Sequence, residues 1–141
     1  MQREDYLLRQ IALMGRVLAR IRRLLIDGRS ADAGEEIQRA AHEGGIDLPL
    51  LIRLDSASLE MLLVTGGEID RPKCALFAEV LFLEWQRRLS IGPAETARRC
   101  AERALLLYGL AYHDVVIDDD TKQHIATLQN YVETATPEVP D

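Results

Sequence analysis

One pattern occurs twice in this chain, 64 residues apart: Gly28, Ala33, Ile37 and Ala40 recur as Gly92, Ala97, Ala101 and Ala104. Each copy follows a long apolar segment with helical spacing. Glycine adopts the left-handed conformation that ends a helix at little cost, and small residues at helical intervals let a second helix approach closely. Two such units constrain the chain to helical hairpins packed in series. That architecture offers a surface for binding rather than an enclosed active site.

The remaining punctuation fits an all-α fold of about six helices. Leu7, Ile11, Met14, Leu18, Ile21 and Leu25 keep to one face of a first helix over Gln2 to Asp27. Leu13, Val17 and Leu24 widen that face on one side, and Leu8, Ala12, Ala19 and Ile26 on the other. Only Arg9, Arg16, Arg20 and Arg23 form a narrow polar strip. A helix so apolar around its circumference touches more than one neighbour. Ser30 is placed to cap a second helix, Ala31 to about Glu43, which Gly44–Gly45 stops. Ile46–Asp55, with Pro49, reads as a buried connector or short helical turn. Asp55 or Ser56 caps a third helix through Leu59, Met61, Leu62 and Leu63, closed by Gly66–Gly67.

Asp70 and Pro72 start a fourth helix. It holds both phenylalanines and the only tryptophan, Phe77, Phe82 and Trp85, and marks the centre of the core. After Gly92–Pro93 a fifth helix shows Ala97, Ala101, Ala104, Tyr108 and Ala111, and Asp118–Asp120 opens a sixth through Ile125, Leu128 and Val132. The expected organisation is one helical domain over 1–133 with a frayed tail over 134–141, in which Pro137 and Pro140 fall. Two antiparallel pairs are joined by one short helix.

Charge and cysteine content narrow the function classes. The net charge of −6 argues against a nucleic-acid-binding domain. Residues 1–29 carry seven arginines, and residues 113–141 carry seven acids against Lys122 alone, so opposite ends of the chain attract within one copy or between two. No run approaches the roughly 20 apolar residues of a membrane span, and Arg9, Arg16 and Arg20 interrupt any signal-peptide core. The expected location is the cytoplasm, where Cys74 and Cys100 stay reduced. Their separation across the predicted Gly92 turn is also roughly 12 Å, too far for a bridge.

The second helix of each pair resembles that of tetratricopeptide repeats: a turn glycine, alanine five residues on, a medium apolar residue four further, and alanine three beyond. Gly28/Ala33/Ile37/Ala40 and Gly92/Ala97/Ala101/Ala104 occupy those positions. The first helices depart from the pattern at Ile21 and Trp85, where the repeat takes a small residue, and at Arg20 and Glu84, where it takes leucine. No groove residue is therefore carried over. Over about residues 4–132 the chain also resembles a bacterial family of small all-helical proteins. Its members open with a segment like Asp5-Tyr6-Leu7-Leu8-Arg9-Gln10-Ile11, continue into the Gly28 hairpin and have no assigned activity. The resemblance implies a fold and no chemistry.

Candidate chemistry is sparse. His113 and His124, with Asp114 and Asp118–Asp120 between, are the only cluster of metal-ligand types, but they straddle a helix break and share no face. The aspartates read as helix-capping charge. His42 stands near a helix C-terminus, where a cation suits the dipole. The paired glycines lack the lysine and hydroxyl of a phosphate loop. The reading assigns no catalytic residue, metal or cofactor, and expects a non-catalytic interaction or self-association module, binding a protein partner or a second copy. Arg9, Arg16, Arg20 and Arg23 are its partner-binding candidates. Two alternatives are a small-ligand or enzymatic domain with a pocket between the first and fourth helices, and nucleic-acid binding through the basic face of the first.

Overall fold

The computed structural model describes residues 2–134, with side chains described from Leu13 onward. The tail over 135–141 and the side chains of Leu7, Arg9 and Ile11 lie outside the described residues. In chain order the elements are α1 (Gln2–Ile26), α2 (Ser30–Gly44), α3 (Leu48–Arg53), α4 (Ser56–Leu62), β1 (Val64–Thr65), β2 (Glu68–Ile69), α5 (Arg71–Ile91), α6 (Ala94–Ala111) and α7 (Asp119–Thr134). The fold is all-α, with one small hairpin.

Both glycine turns join neighbours that pack together. Gly28 takes φ +75° between α1 and α2, and Gly92 takes φ +71° between α5 and α6. Ala33, Ile37, Ala40 and Ala41 are buried on α2, and Ala97, Cys100, Ala101 and Ala104 on α6. Alanine at these positions removes the bulk that would hold the helix axes apart. Helix α5 packs on α6, α2 and α1, while α6 also meets α3 and α7.

Helix α5 is the centre of the core. From Cys74 to Trp85 every residue is buried except Ala75 and Glu79, which are half-buried. A helix apolar on all sides has to be surrounded. Each fully buried side chain of the size of Phe77 or Leu81 contributes about 1.5–3 kcal/mol through removal from water. Trp85 meets Phe82 at 5.5 Å and the edge of Tyr131 on α7 at 5.2 Å, tying the last helix to the centre.

Four local expectations need correction. Ser30 does not cap α2: the helix begins one residue earlier, with Arg29 at the cap position, so the Ser30 hydroxyl is already inside the first turn and is buried without a hydrogen-bond partner. Gly66–Gly67 is a hairpin turn rather than a helix stop. Both residues have positive φ, +63° and +84°, the conformation a two-residue turn between antiparallel strands demands, and Val64 pairs with Ile69. The hairpins are therefore joined by α3, α4 and this β-turn, not by one short helix. Gly44 and Gly45 have separate roles. Gly45, at φ +105°, ends α2, whereas Gly44 lets α2 close on α5, since a Cβ there would lie 2.8 Å from Cε1 of Phe77.

Three caps agree with the reading. Asp55 accepts from the Ser58 amide at 2.8 Å, Asp70 from the Lys73 amide at 3.2 Å, and Asp118 from the Thr121 amide at 3.2 Å and its hydroxyl at 2.6 Å. Among the described residues no helix is long and apolar enough to cross a membrane.

Candidate functional site

Two carboxylates interrupt the apolar run of α5, and each organises a polar cluster. Glu79 faces α1, α6 and α7. Its Oε1 accepts the Tyr108 hydroxyl at 2.8 Å and lies 3.1 Å from Nδ1 of His124, while Nη2 of Arg22 stands 3.8 Å from Oε2. The His124 ring stacks on Phe82, with centroids 4.1 Å apart. Burial, then the charge of Glu79, pushes the Tyr108 hydroxyl far above the usual range. Tyr108 is thus a fixed neutral donor and not a base.

Glu84 is fully buried on the opposite flank of α5. Nε and Nη2 of Arg87 donate to its two oxygens at 2.7 and 2.9 Å, and Nε of Arg88 adds a third bond at 2.8 Å. Nη1 of Arg88 also donates to the carbonyl of Gly92, at 3.1 Å, which braces the α5–α6 turn. Gly34 on α2 makes room for this group, because a Cβ there would sit 2.9 Å from Cζ of Arg87. One carboxylate between two guanidiniums leaves a surplus positive charge at the junction of α2 and α5.

Two apolar recesses flank the middle of α1. A groove of about 600 Å³ runs from Met14, Gly15 and Leu18 across Ala75 to Ala111 and Val115, with Arg22, Arg71, Glu79 and Asp118 along its rim. A smaller cleft of about 180 Å³ lies between Leu13, Met14 and Val17 and the end of α2 at Ala40 and Gly44. Met14 borders both recesses, and Leu13, on the edge of the smaller one, is 57% exposed.

The sequence-predicted arginine strip is dispersed in its contacts. Arg20 reaches Glu36 on α2 at 3.7 Å, Arg23 reaches Asp27 at 3.5 Å, Arg16 is exposed, and the Arg9 side chain lies outside the described residues. Among the described residues, the arginine of α1 that meets the polar core is Arg22, which the strip omits. His113 and His124 do not converge: His113 is exposed, 3.3 Å from Asp114, whereas His124 is half-buried on Glu79. His42 pairs with Asp47 at 2.9 Å. Among the described residues no group of three His, Cys, Asp or Glu side chains could hold a metal. Both cysteines are free and buried, and burial pushes their thiols up to about 11 at Cys74 and about 12 at Cys100. Neither is a nucleophile at neutral pH.

Compared with known proteins, the chain matches no family model, no curated protein and no solved structure. Its site must be argued from its own residues. The sequence reading gives Glu79, Glu84, Arg87 and Tyr108 no site role; Glu84 enters it only as a departure from the repeat pattern and Tyr108 only as a member of the inward stripe. The usable signal was the pair of acids in the otherwise apolar run 74–85, since a carboxylate surrounded by core residues requires partners.

Proposed function

We propose that the chain is a non-catalytic helical interaction module that self-associates through the face of α1 around Leu13. The observation carrying this reading is the exposed Leu13 on the edge of the smaller apolar recess, with half-buried Val17 beside it and half-buried Met14 bordering both recesses. At 1.5 Å per residue α1 is about 37 Å long and α2 about 22 Å. The first turns of α1 therefore run past the end of α2, and the sequence there continues the apolar pattern with Leu7, Leu8 and Ile11. A second copy supplies the same helix in the opposite sense, which is the geometry of a self-complementary two-fold contact. The exposed Arg16, Arg20 and Arg23 form the rim, and the exposed Asp118–Asp120 of the other copy are the complementary charge.

The packing order supports the likeness to tetratricopeptide repeats, with α1 against α2, α2 against α5, α5 against α6, and α6 against α7. Two free cysteines fit a reducing, cytoplasmic location. Cross-linking tests the contact. Mild oxidation of a Leu13→Cys variant yields a covalent dimer, because residues near a two-fold axis meet their own copies. A Leu89→Cys variant, at a comparably exposed position at the far end of α5, forms no covalent dimer. Equal cross-linking of the two would overturn the proposed face.

A further inference from the structure

The structure assigns a second binding site, distinct from the α1 face: we propose that the cavity between the α1–α2 turn and the last turns of α5 binds a small phosphate monoester. The cavity measures about 440 Å³, within the range of small-molecule sites. Its polar wall consists of Arg22, Ser30, Gln86, Arg87 and Ser90, all donors, and no acidic residue lines it among the described residues.

One of the two guanidiniums, that of Arg87, is held from behind by a carboxylate of α5. Glu84 grips Arg87 through Nε and Nη2, which leaves Nη1 without a hydrogen-bond partner among the described residues. Glu79 stands 3.8 Å from Arg22. Arg88 shares Glu84, so the carboxylate does not neutralise the positive charge beneath the cavity. The Ser30 hydroxyl lies behind the cavity wall, closed to solvent, so the hydroxyl open to a ligand is that of exposed Ser90.

The donor set favours phosphate over carboxylate. Arginines on two different helices, a hydroxyl and an amide exceed what a planar carboxylate's two oxygens can engage, whereas a phosphate presents three in a tetrahedral array. Leu25 and Ile26 add an apolar wall, so the ester carries an apolar body.

Calorimetric titration at constant ionic strength tests this with inorganic phosphate, phenyl phosphate and acetate. The expected result is saturable binding of phosphate in about the millimolar range, phenyl phosphate binding about tenfold tighter through its added apolar contact, and no acetate response. Arg22→Gln and Ser90→Ala each weaken phenyl phosphate at least tenfold. Ser90 is exposed, so Ser90→Ala leaves the stability of the unliganded protein unchanged and lost binding is not lost folding. Arg53→Gln, at an exposed arginine of α3 that does not line the cavity, binds as the parent does. Absence of saturable binding, acetate binding as tightly as phosphate, or equal weakening by Arg53→Gln and Arg22→Gln overturns the assignment. So does binding confined to a single-stranded oligonucleotide.

Discussion

Replacing Glu84 by alanine removes the only carboxylate from a group that has two guanidiniums and no exposure at its centre. The Glu84 side chain is 0% accessible, that of Arg87 11% and that of Arg88 26%. Three charge-assisted hydrogen bonds disappear together. Arg88 is exposed enough to turn towards water, so the loss concentrates on Arg87, whose guanidinium is packed against Gly34 of α2. Leaving one partner of a buried ion pair uncompensated costs about 3–5 kcal/mol. Against a typical total of about 5–15 kcal/mol that is a large fraction, and it lowers the melting temperature by about 10–20 °C. Urea unfolding followed by far-ultraviolet circular dichroism measures it. The double variant Glu84→Met/Arg87→Met, which removes the pair and keeps the volume, recovers most of the loss. A Glu84→Ala protein within about 1 kcal/mol of the parent, below the usual cost of one unsatisfied buried group, would refute the reasoning.

Two further outcomes follow from the same packing. Gly44→Ala drives a Cβ to 2.8 Å from Phe77 and costs about 1–3 kcal/mol in urea unfolding, despite alanine's better helix propensity; a neutral or stabilising result would show that α2 and α5 have slack. Stability also falls in alkali. Cys74 and Cys100 hold their protons to about pH 11 and 12 when folded, whereas thiols in the unfolded chain ionise near their ordinary pKa of about 8.5. Their contribution is complete below that value and is lost as pH rises from about 9 towards 12. Urea midpoints from pH 8 upward should decline, and Cys100→Ala should make the decline shallower.

What was legible in the sequence was local. A short acid before a helix caps it through contacts three residues away, so Asp55, Asp70 and Asp118 could be read directly. The small residues of α6 announced a close neighbour whichever helix supplied it. Ser30 and the Gly66–Gly67 pair failed for the opposite reason. Whether a serine caps depends on the backbone one residue earlier, and whether two glycines stop a helix or turn a hairpin depends on the pairing of Val64 with Ile69. The clusters on Glu79 and Glu84 divide in the same way. Arg87 and Arg88 lie three and four residues from Glu84 and were within reach of a helical reading. Tyr108 and His124 stand 29 and 45 residues from Glu79, and only the packing of α6 and α7 on α5 brings them there. Spacing likewise grouped the arginines of α1 into one strip without showing that Arg22, outside it, faces the groove.

The molar mass of the protein across a dilution series, by multi-angle light scattering, bears most directly on the α1 contact. Large exposed apolar patches on a monomer are uncommon, and the prediction is a dimer that persists to about micromolar concentration, as expected of a specific interface. Leu13→Glu should yield a monomer with unchanged circular dichroism, because Leu13 is exposed and lies outside the core. Leu18 is too deeply buried to serve. Arg16→Gln/Arg20→Gln should weaken the dimer less, and mainly at low salt, where exposed charges are least screened. A parent protein that is monomeric at every concentration, or a Leu13→Glu variant that dimerises as the parent does, would contradict self-association through α1.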